Sequence, residues 1–279
     1  MTFIVTALHC EAAPLIDYWR LRRQVHHRAF QVFRGESSTG PIDLLVTGVG
    51  KMRSAIGTAA LCAGSPHLTP LILNIGVCAA PATHPLGEIY YAHRIRDHAT
   101  ARHYLPDPVI AHPFIETHLT TFDVPVMTVP TELEDIALVD MEGSGFAETA
   151  SIYTAPSAWS ILKVVSDHFS PAQLTKEGIS QLIAPHCGAI DGYLTALAAA
   201  HSGEKFSFPP DDKAILDQFL SAYRFTASQK QLLTTAAREY VLRTGEELTA
   251  LKRFLHREPS SKAELKAIFE EAHRALAHP

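Results

Sequence analysis

The sequence has no block of positive charge and no long uninterrupted apolar segment. Its 24 lysines and arginines are outnumbered by 29 aspartates and glutamates, giving a formal net charge of -5. Proteins that bind nucleic acid usually carry clustered basic residues, and a membrane-spanning helix needs about 20 predominantly apolar residues. We therefore expect neither nucleic acid nor a membrane as a partner, and a small molecule as the ligand.

Paired cysteines and metal-binding spacings are also lacking. The cysteines, Cys10, Cys62, Cys78 and Cys187, lie far apart, and the 16 histidines form neither an HxxxH nor an HExxH motif. These absences argue against a zinc ribbon, a redox pair and a zinc hydrolase. The first residues lack the basic segment and apolar stretch of a secretory signal. We expect free thiols, no metal, no cofactor and a cytoplasmic location.

Short apolar runs alternate with alanine-rich segments along the first two thirds of the chain. Hydrophobic residues make up 47% of the sequence, enough for a substantial core. Runs rich in β-branched residues indicate buried strands at 3–8, 42–47, 71–75, 88–92, 124–129, 137–141 and 161–165. Helical spacing indicates helices at 52–63, 142–153 and 187–201. The alternation predicts an α/β fold with a mostly parallel sheet covered by helices.

Two segments interrupt this alternation. Residues 97–121 contain four histidines and three prolines with little periodicity, which is typical of a substrate lid or a disordered surface loop. The stretch GEKFSFPP at 203–210 separates an α/β domain, residues 1–203, from a C-terminal helical extension, residues 204–279. Thr226 with Gln229, and Ser261 with Glu264, fit capping boxes there. We expect this extension to pack on the larger domain or on a second subunit.

Polar residues and glycines follow the predicted strands, where open α/β sheets bind their ligands. Taken alone, each cluster can also be explained without a ligand, as a tight turn or as a glutamate in the first turn of a helix. Carboxylates at such a rim are nevertheless costly to bury unless they are paired or used in chemistry. The clusters are Glu11, then Gly48-Val49-Gly50-Lys51, then Asn74-Ile75-Gly76-Val77, and finally Asp140-Met141-Glu142 with Lys163 to Asp167.

Taken together and in this order, the clusters resemble the nucleoside phosphorylase superfamily. The most similar branch is the 5′-methylthioadenosine/S-adenosylhomocysteine (MTA/SAH) nucleosidases, and the resemblance runs from Thr2 to about His201. The matching motifs are Ala-x-x-x-Glu, Gly-Val-Gly-Lys, Asn-x-Gly, Gly-Glu-Ile at 87–89, Asp-Met-Glu and Lys-x-x-Ser-Asp. The resemblance implies a three-layer sandwich with a mixed, mostly parallel central sheet, assembled as a homodimer or larger homo-oligomer.

The resemblance also implies roles for individual residues. Glu11 would activate water and Asp167 would protonate the departing purine, as the two catalytic residues. Glu142 and Met141 would hold the sugar. The other expected substrate-binding residues at the matching positions are Gly76, Val77, Ser166 and Lys163. The 97–121 excursion does not resemble the nucleosidase lid, and Arg102 or Tyr104 within it is a candidate to reach the sugar.

The implied activity is hydrolysis of the N-glycosidic bond of a purine nucleoside, with a nucleoside modified at its 5′ position as a candidate substrate. Two alternatives stay open: a phosphate-dependent phosphorylase, and a weakly catalytic nucleoside-binding protein. No arginine follows a glycine-rich turn after the first strand, which favours the hydrolase, although Arg23 and Arg53 are candidate phosphate partners. The chain departs from the nucleosidases at Val77, where they carry a serine, and at residues 130–135, near the expected base.

Overall fold

The computed structural model describes residues 1–25, 29–64, 70–128, 137–170, 174–202, 208–244, 246–257 and 259–277. These divide into two compact units, Met1–Gly203 and Glu204–Pro279. The strands of the first unit are β1 (Thr2–Thr6), β2 (Arg22–Gln24), β3 (Gln31–Ser37), β4 (Gly40–Val46), β5 (Leu71–Ala79), β6 (Ile89–Asp97), β7 (His103–Tyr104), β8 (Ile115–Thr121), β9 (Leu138–Asp140) and β10 (Trp159–Asp167). Its helices are α1 (His9–Tyr18), α2 (Lys51–Ala63), α3 (Gly143–Tyr153), α4 (Lys176–Ile183) and α5 (Cys187–Ser202).

The ten strands form one mixed sheet in which part of the sheet closes on itself. Strand β1 lies between β4 and β5, parallel to both, and β3 and β2 extend the β4 edge. On the other side, β5, β10, β6, β8 and β9 pair in a ring, because β9 returns to β5 through Ala79 and Val139. The sheet is thus mixed, as predicted.

Two details of the predicted fold class differ from the structure. Among the described strands, five pairings are parallel and five antiparallel, so the sheet is not mostly parallel. The ring of five strands also replaces part of the open central layer of a three-layer sandwich. Strand periodicity reports burial and not the direction of the neighbouring strand, so neither feature could be read from the apolar runs.

Both faces of the central strands β1 and β10 are buried, which explains their continuous apolar runs. Successive side chains of a strand point to opposite faces, and on β1 Ile4 packs with Leu15 of α1 while Val5 packs with Leu61 of α2. Helices α1 and α5 contribute to the first cluster, and α2 and α3 to the second. All nine residues of β10 are buried.

A close helix contact brings α2 and α3 together beside the sheet. A Cβ placed on Gly145 of α3 would lie 2.0 Å from the carbonyl oxygen of Lys51, the first residue of α2. Only glycine allows this approach. The contact holds the beginning of α2 against the beginning of α3, directly after two of the predicted ligand-binding clusters.

The structure corrects the reading of two segments. The 97–121 excursion contains β7 and the seven-residue β8, which pairs with β6 and β9; its mixed composition hid a strand of the ring. Conversely, residues 124–128 of the predicted 124–129 strand are not in a strand, and residue 129 lies outside the described residues, as do residues 130–135.

The second unit is helical and has its own core. Its helices are α6 (Pro210–Ala222), α7 (Ala227–Thr244) and α8 (Lys262–Ala277), with a 3-10 segment at Leu248–Phe254. Phe219, Leu233 and Leu251 are fully buried at its centre. The capping box at Thr226 and Gln229 is confirmed, because each residue's side chain accepts from the other's backbone N–H. No described helix is long and apolar enough to cross a membrane.

Candidate active site

A cavity of about 220 Å³ opens where β1, β5, β9 and β10 end and their following loops begin. This is the rim at which α/β sheets bind ligands. Four carboxylates contribute to its wall and the other described lining residues are neutral. The lining consists of Ala7, Leu8, Glu11, Val49, Val77, Cys78, Ala79, Val124, Pro125, Val126, Val139, Asp140, Met141, Glu142, Ser166, Asp167 and Leu174.

Glu11 is fixed by the backbone around it. Its Oε2 accepts hydrogen bonds from the N–H groups of Ala7 (2.9 Å) and Leu8 (2.8 Å), and its Oε1 accepts one from Val77 (2.9 Å). The residue is only 3% exposed. Burial raises the pKa of the Glu11 carboxyl, against the opposing effects of Lys163 and the three N–H donors. The first turn of α1 thus presents a rigid, buried carboxyl group to the cavity.

Lys163 and Asp140 form a fully buried ion pair beneath the cavity. Lys163 Nζ lies 2.9 Å from Asp140 Oδ2, with side-chain exposures of 2% and 0%. Asp140 is also held by the Thr121 hydroxyl (2.7 Å) and the Gly143 N–H (2.8 Å). Burial alone would lower the pKa of Lys163, but nearby Asp140, Glu142 and Glu11 outweigh it and raise that pKa. Lys163 therefore remains charged and offsets part of the negative charge of the site.

Glu142 connects β9 to the turn that precedes α2. Its Oε1 accepts a 2.8 Å hydrogen bond from the N–H of Gly50. Gly48 and Gly50 have φ angles of +88° and +104°, a region that favours glycine, which accounts for both glycines of this turn. Burial raises the pKa of Glu142 to about 7, with a further contribution from Asp140 and opposing effects from Lys163 and the Gly50 N–H.

Asp167 ends β10 and lines the same cavity. Its Oδ2 accepts from the Ser166 hydroxyl (2.9 Å) and its Oδ1 from the N–H of Ser170 (2.8 Å). The Ser166 hydroxyl is also within 3.1 Å of the carbonyl oxygen of Cys78 on β5. These contacts orient the carboxyl group, which is 9% exposed, toward the cavity it lines.

The structure brings most of the predicted site residues together. Glu11, Val77, Met141, Glu142, Ser166 and Asp167 line the same cavity. Gly76 and Lys163 lie just behind it, since a Cβ on Gly76 would be 2.8 Å from Glu11 Oε1 and 3.3 Å from Lys163 Nζ.

Tyr104 is not among the residues that line this cavity. It lies on the short strand β7, and its hydroxyl donates to Glu148 on α3. The structure therefore does not bring Tyr104 together with the other predicted site residues, and its contact with the sugar stays a prediction. The sequence around Tyr104 contains no motif and no strand periodicity, so the pairing of residues 103–104 with β6 could not be predicted.

Several cavity residues were not assigned roles from the sequence. Asp140 belongs to the Asp-Met-Glu motif, so its position in that motif was the available signal. Val49 similarly lies inside the Gly-Val-Gly-Lys cluster. Val124 and Val126 were taken for strand residues, and Leu174 follows a region without motifs. Among the described residues, no group of three or more His, Cys, Asp or Glu side chains is arranged to hold a metal ion.

Comparison with known proteins gives matches in structure but not in sequence. No protein-family model matches the chain, and no curated protein matches it. The MTA/SAH nucleosidase of S. pneumoniae, solved with a transition-state inhibitor, superposes with a TM-score of 0.60 at 19% identity, covering 71% of this chain and 100% of that one. The MTA/SAH nucleosidase of Colwellia psychrerythraea in complex with adenine gives 0.58 at 17%, covering 70% and 95%.

A further similar structure is the futalosine hydrolase of Helicobacter pylori, with a TM-score of 0.56 at 13% identity, covering 71% of this chain and 97% of that one. Nearly the whole of each neighbour is thus matched by about seven tenths of this chain. At such low identities the likeness establishes the fold. The resemblance predicted from the sequence is confirmed at that level: this chain has the fold of the MTA/SAH nucleosidases.

Proposed function

We propose that the chain hydrolyses the N-glycosidic bond of a purine nucleoside, releasing the free base and the sugar. The observation that carries the proposal is the convergence of Glu11, Glu142 and Asp167 from three separate elements on one cavity. The solved structures that share the fold are named as nucleosidases and a futalosine hydrolase. The chemistry needs an acid for the leaving base, a base for water and negative charge near the sugar, and this cavity contains residues suited to each role.

Asp167 is proposed as the general acid. Transfer of its proton to the purine ring weakens the bond between base and sugar, so the base leaves as a neutral molecule. Proton transfer of this kind contributes roughly a hundredfold to ten-thousandfold to a rate. Ser166 and the Ser170 N–H hold the carboxyl group in place.

Glu11 is proposed as the general base. Three backbone N–H groups occupy one position on Oε1 and two on Oε2, and a carboxylate has about four acceptor positions. One position therefore remains for a water molecule. Glu11 takes a proton from this water as its oxygen attacks the anomeric carbon, and burial favours the protonated form that results.

Glu142 and Met141 are proposed to hold the sugar. The ionised Glu142 accepts hydrogen bonds from sugar hydroxyls, while the Met141 side chain packs against the ring. As the base departs, the sugar develops positive charge, and preorganised negative charge stabilises such a transition state. Glu142 lines the cavity and supplies that charge, whereas the charge of Asp140 is offset by Lys163. The cavity is also lined by apolar residues such as Val49 and Val126. This apolar surface could contact a substituent on the 5′ carbon of the sugar.

Hydrolysis is favoured over phosphorolysis by the charge of the cavity wall. No arginine or lysine is among its described lining residues, and Lys163 behind them is already paired with Asp140. An attacking phosphate would therefore meet the carboxylates of Glu11, Glu142 and Asp167 without a cation of its own. The test is to incubate purine nucleosides with the protein in phosphate-free buffer and again with phosphate, and to identify the sugar product. Base release with free sugar in both buffers supports hydrolysis, whereas strict phosphate dependence with sugar 1-phosphate as product supports the phosphorylase.

We also propose that the chain forms a homodimer. The exposed apolar residues Met52 and Ile56 on α2 and Ile152 on α3 support it, with exposed fractions of 69%, 55% and 73%. Apolar side chains grouped on a surface are typical of interfaces. Sedimentation equilibrium of the full chain tests this: twice the mass of 30.5 kDa is expected, and a monomer over the whole concentration range contradicts it.

A further inference from the structure

A second cavity, of about 270 Å³, lies beside the first and has the opposite charge. It is lined by Arg23, Ala29, Phe30, Gln31, Val46, Thr47, Gly48 and Arg53. We call it the Arg23–Arg53 cavity. Its described lining contains two guanidinium groups and no carboxylate. In a chain of net charge -5, two arginines facing one cavity without acidic residues mark a place suited to an anion.

Among the described residues, the two guanidinium groups have no ionic partner. The hydrogen bonds and salt bridges formed by the described residues include none from Arg23 or Arg53. The Arg53 guanidinium carbon is instead 6.0 Å from the centre of the Phe30 ring, a distance at which cation–π attraction orients it. All five donors of each guanidinium therefore remain available for a ligand.

Gly48 makes room for Arg53. A Cβ at Gly48 would lie 3.1 Å from Arg53 Nε and 3.6 Å from one terminal nitrogen. Arg53 is also the third residue of α2, whose first-turn N–H groups carry partial positive charge. The glycine of the turn that precedes α2 thus allows the Arg53 side chain to line the Arg23–Arg53 cavity, and Arg23 of β2 lines it as well.

The same turn separates this cavity from the carboxylate-lined one. Gly48 lines the Arg23–Arg53 cavity, and its neighbour Val49 lines the other. The Gly48 N–H donates to the carbonyl of Ala7 (2.9 Å), whose own N–H donates to Glu11. On the other side, the Gly50 N–H donates to Glu142, the residue proposed to hold the sugar. A group attached to the sugar therefore has the Arg23–Arg53 cavity as a neighbouring compartment.

We propose that the Arg23–Arg53 cavity binds a phosphate group. A cavity of about 270 Å³ has room for this group with some bound water, since a water molecule occupies about 30 Å³. An arginine guanidinium can donate two parallel hydrogen bonds to two oxygens of one phosphate group. The phosphate is either one carried on the sugar of the nucleoside, which rests on the proposed function, or inorganic phosphate. Arg23 and Arg53 lie outside the wall of the carboxylate-lined cavity, so the bound group is not the nucleophile of a phosphorolysis.

The binding test uses calorimetry of the full chain with inorganic phosphate and with adenosine 5′-monophosphate. Arg23→Gln and Arg53→Gln are each expected to weaken binding by about tenfold or more, because each removes charge-assisted hydrogen bonds. Arg22→Gln is the matched control: it removes the same charge from the adjacent residue of β2, which is not among the lining residues. Unchanged binding in all three variants, equal losses in all three, or no binding to the wild type overturns the proposal.

Kinetics separates the two sources of the phosphate. If the substrate carries it, Arg53→Gln raises KM for adenosine 5′-monophosphate by about tenfold and leaves KM for adenosine unchanged. If inorganic phosphate is the ligand, it binds in an arginine-dependent way and the nucleotide has no advantage over the nucleoside. Base release from adenosine in phosphate-free buffer reports on the proposed function separately. Its failure together with arginine-dependent phosphate binding would reject the nucleosidase and retain the Arg23–Arg53 site.

Discussion

Gly76 passes so close to Glu11 that a Cβ on the glycine would lie 2.8 Å from the carboxylate oxygen Oε1. The same atom would lie 3.3 Å from Lys163 Nζ. The glycine of the Asn-x-Gly motif is therefore required by the approach of a charged group and not by an unusual backbone angle. Its neighbour Val77 donates the hydrogen bond that holds that oxygen.

Gly76→Ala is expected to displace the Glu11 carboxyl group and lower kcat by on the order of tenfold to a hundredfold, since small misplacements of a catalytic group are costly. Overpacking should also destabilise the fold by about 1–3 kcal/mol. Gly188→Ala in α5 is the control, because a Cβ there meets no atom within 4 Å. It should leave kcat unchanged. Base-release kinetics and urea unfolding measure both effects, and an unchanged kcat in Gly76→Ala would contradict the role of Glu11.

Asp167→Asn is expected to lower kcat by roughly a hundredfold to ten-thousandfold, because the amide cannot supply the proton that the base needs. Asp191→Asn in α5 is a matched control; its carboxylate accepts from Trp19 and Ser38 and does not line the cavity. Initial rates of base release for the two variants provide the comparison. Comparable rates in wild type and Asp167→Asn would remove Asp167 from the mechanism.

The raised pKa of Glu142, about 7, predicts that substrate affinity depends on pH near neutrality. The ionised carboxylate is the stronger acceptor for sugar hydroxyls, and it forms as the pH rises through that value. KM for the nucleoside should therefore fall between pH 6 and pH 8. A KM that is flat across this range, or one that rises, would count against the role of Glu142 in sugar binding.

The same pKa makes a prediction about stability. Glu142 binds its proton more tightly in the folded chain than at its ordinary pKa of 4.5. Its contribution therefore favours folding below about pH 4.5 and is lost as the pH rises through about 7. Glu142→Gln removes this loss, so its Tm should exceed that of the wild type by a few degrees at pH 8. The difference should shrink toward pH 5, and a difference independent of pH would show that ionisation is not its cause.

Lys163→Met is expected to destabilise the fold by about 3–5 kcal/mol, because it leaves Asp140 buried without a cationic partner. Adding Asp140→Asn should recover part of this loss, since the uncompensated charge is then gone. Urea unfolding of the two single variants and the double variant gives the interaction free energy. Strictly additive effects would mean that the buried pair is not coupled.

Many residues of the carboxylate-lined cavity could be predicted from the sequence, because they stand at or directly after the ends of apolar strands. Glu11, Glu142 and Asp167 each follow such a run, and strands buried on both faces are visible as continuous apolar segments. The helices at 52–63, 142–153 and 187–201 correspond closely to α2, α3 and α5. Strand β8, with its histidine and threonines, was missed because its polar composition resembles that of a loop.

The placement of Tyr104 and the role of Lys163 show where sequence reasoning ends. Tyr104 lies in a segment without periodicity, and its partner Glu148 is 44 residues away along the chain. Lys163 was expected to contact substrate, whereas the structure buries it against Asp140 beneath the cavity. A buried lysine cannot be distinguished from an exposed one by strand alternation when every residue of the strand is buried, as in β10.

The sequence by itself determined that apolar strands alternate with helices in the first unit and that Glu11, Glu142 and Asp167 stand at strand ends, because these features depend on local apolar patterning. Tertiary structure alone decided that five strands close into a ring, that Lys163 neutralises part of a four-carboxylate site, and that Arg23 and Arg53 meet across one cavity. These features join residues far apart in the chain, and their energies arise from burial and from charges brought within contact only when the sheet is assembled.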